Sequence, residues 1–326
     1  MTKHVNNDVT QVSIDEIKQL ALSNIHYSND EVDIRKLWKV IWRGKWTILL
    51  TAALFSAASV FYALSLPNVY KSEALLAPAA QEASGMGGLA SQFGGLASLA
   101  GINIGAGVDK TALAIEIMRS RAFISKFITK HDLLVPLMAS KSWNQTQNEL
   151  VYDDKIYDVN SKLWVREAKH PMKSAPSEQE AIREFRRGFS VSQDKKTSML
   201  TLSVKHVSPS VAKQWVEWLI DAINLEMKSK DLNDANKSIA YLEKAVKKTR
   251  LNELQQVLYQ IIEEQTKVIM FAEVREQYAF RTIDPPVIPE IKAEPKRALI
   301  CILGALFGMF TGLLINYIMH ATKKIN

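Results

Sequence analysis

One cysteine, Cys301, stands in these 326 residues, so no disulfide framework supports the chain. Any outer segment must be held by its own core and by neighbours. The six histidines (His4, His26, His131, His170, His206 and His320) are scattered, with no pair at ligand spacing, which gives no metal site. No paired carboxylates fall in a plausible pocket and no nucleophile stands with a base, so the sequence offers no catalytic residue and no cofactor. Glycine and proline are both absent from Ser210 to Asp284, which excludes a loop-rich domain there. Eight of the 13 glycines instead crowd between Ser84 and Gly107. A phosphate-binding loop needs Gly-Lys followed directly by Ser or Thr. Here Val108 and Asp109 separate Gly107 from Lys110 and Thr111, so the stretch is a mobile apolar loop facing an oligomer lumen or a membrane surface.

What is present begins with two apolar runs. Residues 47–66, from Thr47 to Leu66, carry no charge and end at Pro67. Residues 298–319, from Ala298 to Met319, carry none either, with Asn316 the one strongly polar side chain. Both are long enough to cross a bilayer as helices. The first lies too deep in the chain for a secretory signal. Arg35, Lys36, Lys39, Arg43 and Lys45 precede it and only Lys71 follows closely, which puts the N-terminus in the cytoplasm. The second span returns the tail 320–326, with Lys323 and Lys324, to the same side. Much of the net charge of +7 sits at these flanks, which suits membrane lipids and not nucleic acid. Within the cytoplasmic arm 1–46, Ile34, Leu37, Trp38, Ile41 and Trp42 repeat at helical spacing opposite Arg35, Lys36, Lys39 and Arg43. This is an amphipathic interfacial helix, anchored by Trp38, Trp42, Trp46, Arg43 and Lys45. In the second span Gly304, Gly308 and Gly312 share one helix face, where small residues let a partner backbone approach. The first span, a copy of the same helix, and another membrane protein all fit as partner.

Between the spans, residues 67–208 read as an α+β base. Asn68 to Pro78 form a strand, and Asp109 to Ile128 a helix with Asp109 as N-cap. Ser177 to Phe189 make a second helix, with Ser177 and Glu180 as a capping box and Gly188 as its stop. Phe189 to His206 form a hairpin in which Leu200, Leu202 and Val204 alternate with polar residues. Ser208 and Pro209 then open a long helical segment, 209–284. Val211, Trp218, Leu225, Leu232, Ile239 and Val246 fall seven apart, while the companion column (Trp215, Ala222, Ser229, Asn236, Glu243) turns polar. A second stripe follows at Leu254, Leu258, Ile261, Val268 and Ala272. One straight helix of this length would reach about 110 Å. The chain must instead return to the second span, so the expectation is a coiled-coil-like helical hairpin projecting as a trunk, with a turn near Lys247 to Asn252. Residues 285–297, with Pro285, Pro286, Pro289 and Pro295, are an extended, stiff strap.

The arm Asp33–Trp46, the glycine-rich stretch, Val257–Glu290 and the passage from Glu294 into the glycine-bearing second span together resemble the Wzz-type polysaccharide co-polymerases, the chain-length determinants of bacterial inner membranes. The resemblance covers nearly the whole chain, and the proline-rich approach to the last helix, with Pro286, Pro289 and Pro295, is its most specific part. It implies a periplasmic α+β base and a projecting helical trunk. It implies ring-like homo-oligomers that act without catalysis, with a Wzy-type polymerase, on the modal length of a lipid-linked polysaccharide. The tail leaves no room for the tyrosine kinase domain of some relatives, which favours the O-antigen or common-antigen branch. Other readings are a two-span sensor, a periplasmic adaptor of an export system, a glycosyltransferase and a membrane scaffold. The sensor needs a signalling module after the second span. The adaptor needs β-rich domains and no last span. The glycosyltransferase needs catalytic carboxylates.

Overall fold

The computed structural model describes Trp42, residues 44–79 and residues 110–325. Most of the amphipathic arm, the glycine-rich stretch and the Asp109 cap expected from sequence lie outside the described residues. The chain divides into two units. One combines the chain up to Ala63 with Ala298 onward, and the other is Leu64–Arg297.

The first unit holds most of α1 (Lys45–Ser65) and α8 (Arg297–Ile325). Both are long and apolar enough to cross a membrane, with mean hydropathies of 1.9 and 2.5 over Lys45–Ser65 and Arg297–Met319. Only 6% and 11% of their most apolar windows are buried, so neither is the core helix of a soluble domain. α8 runs through the residues expected to form a separate tail, because nothing between Met319 and Ile325 breaks a helix.

The second unit is built on a four-stranded antiparallel sheet of order β6-β7-β1-β8, from β1 (Tyr70–Pro78), β6 (Phe189–Gln193), β7 (Leu200–His206) and β8 (Phe280–Asp284). Side chains alternate along a strand, so the register that opposes Ala74 to Leu202 and Leu76 to Leu200 gathers these residues with Val204 on one face. There they meet Trp215, Val216, Leu219, Ile223 and Met227 of α6 (Pro209–Lys248), and Phe127 and Phe185 of α3 (Arg121–Lys130) and α5 (Glu178–Gly188). Each large aliphatic side chain buried here contributes about 1.5–3 kcal/mol. Phe185 gathers the aromatics, its ring 5.5 Å from Phe127, 5.5 Å from Phe189 and 6.0 Å from Trp215.

Several local expectations meet their structural counterparts. Ser177 and Glu180 form the reciprocal capping box of α5, and Ser208 caps α6 with Pro209 as the first helical residue. Gly188 has a different reason from the one expected. It is the last residue of α5, and a Cβ there would lie 2.8 Å from the Lys205 carbonyl oxygen, so close strand approach requires the glycine. The helix expected over 109–128 is two: α2 (Lys110–Arg119) and α3, broken at Ser120. That residue is extended, and its Oγ accepts from Phe123 N at 3.2 Å, opening a new helix. A short helix and two small hairpins precede α5: α4 (Leu134–Met138), β2 (Ser140–Asn144)/β3 (Glu149–Tyr152) and β4 (Tyr157–Asp158)/β5 (Leu163–Trp164).

The segment 209–284 is not a trunk throughout. The first half of α6 is core, buried at Ala212, Trp215, Val216, Leu219, Ile220, Ile223 and Met227, because it lies against the sheet. The seven-spaced column is not this stripe, and its Leu225 is 53% exposed. α7 (Asn252–Val274) packs back on α6, and the chain then enters the sheet as β8. The turn occupies Thr249–Leu251 without glycine or proline. Thr249 N bonds the Ala245 and Val246 carbonyls, and Gln255 Nε2 reaches the Thr249 carbonyl at 2.7 Å, satisfying the helix end. Asn224 and Asp231 fix where the return arrives. Asn224 Oδ1 accepts from Ala279 N and Phe280 N, its Nδ2 donates to Phe280 O, and Asp231 receives Tyr278 Oη at 2.6 Å and Lys110 Nζ at 2.7 Å.

Candidate functional site: the glycine seam and the proline strap

The two apolar helices meet along a seam of small residues. Cβ atoms added at Gly304, Gly308 and Gly312 would collide with α1. The first would stand 2.5 Å from Ser59 Cβ and Oγ, the second 2.9 Å from Ala52 Cα and Thr51 O, and the third 2.3 Å from Thr51 Oγ1 and 2.8 Å from Ile48 Cα. All three glycines of the expected face therefore lie against the first span of the same chain. The Phe55 and Phe307 rings pack edge to face at 5.5 Å beside them. Hydroxyls in such a seam must be satisfied without water. Thr51 Oγ1 bonds the Thr47 and Ile48 carbonyls, both at 3.0 Å, and Ser59 Oγ donates to Ser56 O at 2.8 Å. At one end Asn316 is buried over Gly44, where an added Cβ would be 1.8 Å from Asn316 Nδ2. Sequence reasoning found the glycines but not Gly44, Thr51, Ala52 or Ser59. The spacing of Ile48, Ala52, Phe55 and Ser59 by three or four was the available signal.

Of the expected interfacial anchors, Trp42 and Trp46 are 62% and 73% exposed, and Lys45 Nζ lies 5.6 Å from the Trp42 ring centre. Trp38 and Arg43 are outside the described residues.

In the other unit, the residues after α1 and before α8 are tied to each other. Val69 N donates to Glu294 O at 2.9 Å and Ala293 N to Val69 O at 2.8 Å. Asn68 Oδ1 receives Arg297 Nη2 at 3.2 Å and Lys292 Nζ at 3.4 Å. Lys205 forms an ion pair with Glu294, and Ser72 Oγ donates to Val287 O at 2.8 Å. The strap thus continues past β8 along β1. Its prolines lack an N–H and cannot extend the ladder, so the sheet edge ends there. Pro286 is buried, Pro289 and Pro295 are half-buried and Pro285 is exposed.

Beside the strap lies a cleft of about 280 Å³ lined by Ser140, Glu184, Arg187, Lys205, His206 and Glu294 among others. Its charges are paired as Arg187 with Glu184 and Lys205 with Glu294. His206 is buried. Its Nε2 bonds the Pro136 carbonyl at 3.0 Å, and Nδ1 accepts from Ser208 N at 3.1 Å. That pair of bonds requires a neutral ring with the proton on Nε2, and burial holds the imidazole below its ordinary pKa. His206 therefore joins α4, β7 and the start of α6, with both ring nitrogens engaged. Among the described residues no group of three or more His, Cys, Asp or Glu is placed to hold a metal ion.

Residues 30–131 match the model of the Wzz family, chain length determinant protein. No curated protein sequence matches the chain. Among solved structures it is similar to a full-length bacterial polysaccharide co-polymerase, at 17% identity over 91% of this chain and 99% of that one, with a TM-score of 0.37. It is also similar to a fragment of WzzB, a polysaccharide co-polymerase from Salmonella Typhimurium, at 12% identity over 70% of this chain and all of that one, with a TM-score of 0.31. Through residues 30–131, the chain is similar to the Wzz-type chain length determinant proteins.

Proposed function

We propose that this protein regulates the modal chain length of a lipid-linked surface polysaccharide, O-antigen, from the bacterial inner membrane. It acts there with a Wzy-type polymerase and without chemistry of its own. The match of residues 30–131 to the chain length determinant family carries this reading. Two helices of spanning length support the membrane anchor. The basic residues before the first helix, from Arg35 to Lys45, favour cytoplasmic termini and a periplasmic second unit. A homo-oligomeric ring agrees with the surface of α7, where Leu254, Tyr259, Met270 and Phe271 are all more than 40% exposed and Ala272 alone is buried. Such apolar exposure favours a protein neighbour.

The test is a gel of surface lipopolysaccharide from cells with and without the gene. Deletion is expected to turn a clustered band distribution into a random one while sugar composition is unchanged. A ladder that keeps its mode refutes the O-antigen assignment. Loss of the polymer itself would instead point to synthesis or export.

A further inference from the structure

We propose that the proline strap is a second membrane contact, a lipid-facing ridge in which Val287, Ile288 and Ile291 enter the interfacial layer of an anionic bilayer. These three aliphatic side chains occur within five residues and are 66%, 54% and 81% exposed. Ile291 is among the most exposed large apolar side chains described. The segment is not a loose linker that could turn them inward. Its backbone is fixed to β1 through Val69 and Ser72, and Pro285, Pro286 and Pro289 restrict it further. Ordered, extended backbone that points aliphatic groups outward calls for an apolar neighbour.

Chain continuity names that neighbour. Ile291 is six residues from Arg297, where the apolar helix α8 begins, so it lies within about 20 Å of that start whatever the path between them. Lys292, Lys296 and Arg297 follow the aliphatic group directly. The acids nearby are Glu290 and Glu294, and Glu294 is occupied by Lys205. Aliphatic side chains followed by cations beside a span fit a bilayer surface with anionic headgroups. A soluble acidic partner would use the charges and leave Val287, Ile288 and Ile291 in water.

The experiment uses the full chain in nanodiscs containing anionic lipid, on a Cys301→Ser background. Nitroxides are placed at Ile288→Cys, Ile291→Cys and, as a water-exposed control, Leu251→Cys. Oxygen, which partitions into lipid, and a polar nickel chelate report collision rates. The oxygen-to-nickel ratio is expected to be several-fold higher at residues 288 and 291 than at 251. A ratio equal to the control overturns the proposal. Protection from both reagents overturns it too, and assigns the ridge to a protein contact such as a second copy. The unmodified chain supplies a second readout: lipids with a photoreactive group near the headgroup should label peptides covering 287–292. Labelling confined to α1 and α8 refutes the contact.

Discussion

Gly304→Ala tests the seam at the level of single atoms. The added methyl group falls 2.5 Å from Ser59 Cβ and Oγ. Rotation can move Oγ but not Cβ, which is fixed to the α1 backbone. Carbon atoms pack at about 3.5–4.0 Å, so the helices must part locally by roughly 1 Å. Overpacking of this kind costs about 1–3 kcal/mol. That is roughly a 5- to 150-fold loss in the equilibrium for the closed pair. Ser59→Gly removes both clashing atoms, and the next neighbour, Phe55 O, is at 3.4 Å. The double variant should therefore recover most of the loss, less the few tenths of a kcal/mol by which glycine weakens a helix relative to serine. Gly308→Ala behaves differently. Its close neighbours include Ala52 Cα and Thr51 O, both main-chain atoms at 2.9 Å, so no side-chain deletion on α1 relieves it. The assay is unfolding of the full chain in mixed micelles, followed by energy transfer between dyes at Lys45→Cys and Thr322→Cys on a Cys301→Ser background. The reasoning is refuted if Ser59→Gly leaves Gly304→Ala unrescued, or if it rescues Gly308→Ala equally well.

Burial keeps His206 neutral, with a pKa lowered from 6.5. The unfolded chain then binds a proton that the folded one does not, so its contribution to stability is complete above about pH 6.5 and shrinks as pH falls toward the lowered folded value. Denaturant midpoints should drop between pH 7 and 5, and His206→Gln should flatten that slope. Asn224→Ala leaves Ala279 N, Phe280 N and Phe280 O without their partner and should cost about 3 kcal/mol or more in urea unfolding, given ~1–3 kcal/mol for each group left unsatisfied. A loss below 1 kcal/mol would mean water replaces it. Tyr278→Phe removes one bond to Asp231 and should cost about 1 kcal/mol, whereas Asp231→Ala also releases Lys110 and should cost more. Equal losses in the two variants would contradict the shared-acceptor geometry.

Features governed by neighbours in sequence were readable from sequence: the two apolar runs, the capping box at Ser177, the Ser208–Pro209 helix start, and the hairpin with Leu200, Leu202 and Val204. Features decided across long separations were not. β8 is five residues long, and it is a strand because β1, some two hundred residues earlier, offers an edge. The buried stripe of α6 is set by a flat sheet, which takes a wider face than a coiled-coil seam does. That is why Leu225 is exposed and Val216 and Leu219 are buried. Ser120 breaks its helix by bonding Phe123 N, a choice that serine makes only when the next helix has somewhere to pack. The glycine face of α8 was legible, but its partner was not, because periodicity marks a face without naming what covers it.

The tie between Val69 and Glu294 also fixes how the second unit responds to force. The connectors to α1 and α8 leave it side by side, from the start of β1 and the end of the strap. Pulling them apart loads the bonds of this antiparallel pair one at a time, beginning with Val69–Glu294 and passing next to Ser72–Val287. A pair loaded in that way peels at low force, whereas strands pulled along their length resist with all their bonds at once. The junction between β1 and the strap is thus where such tension is released first.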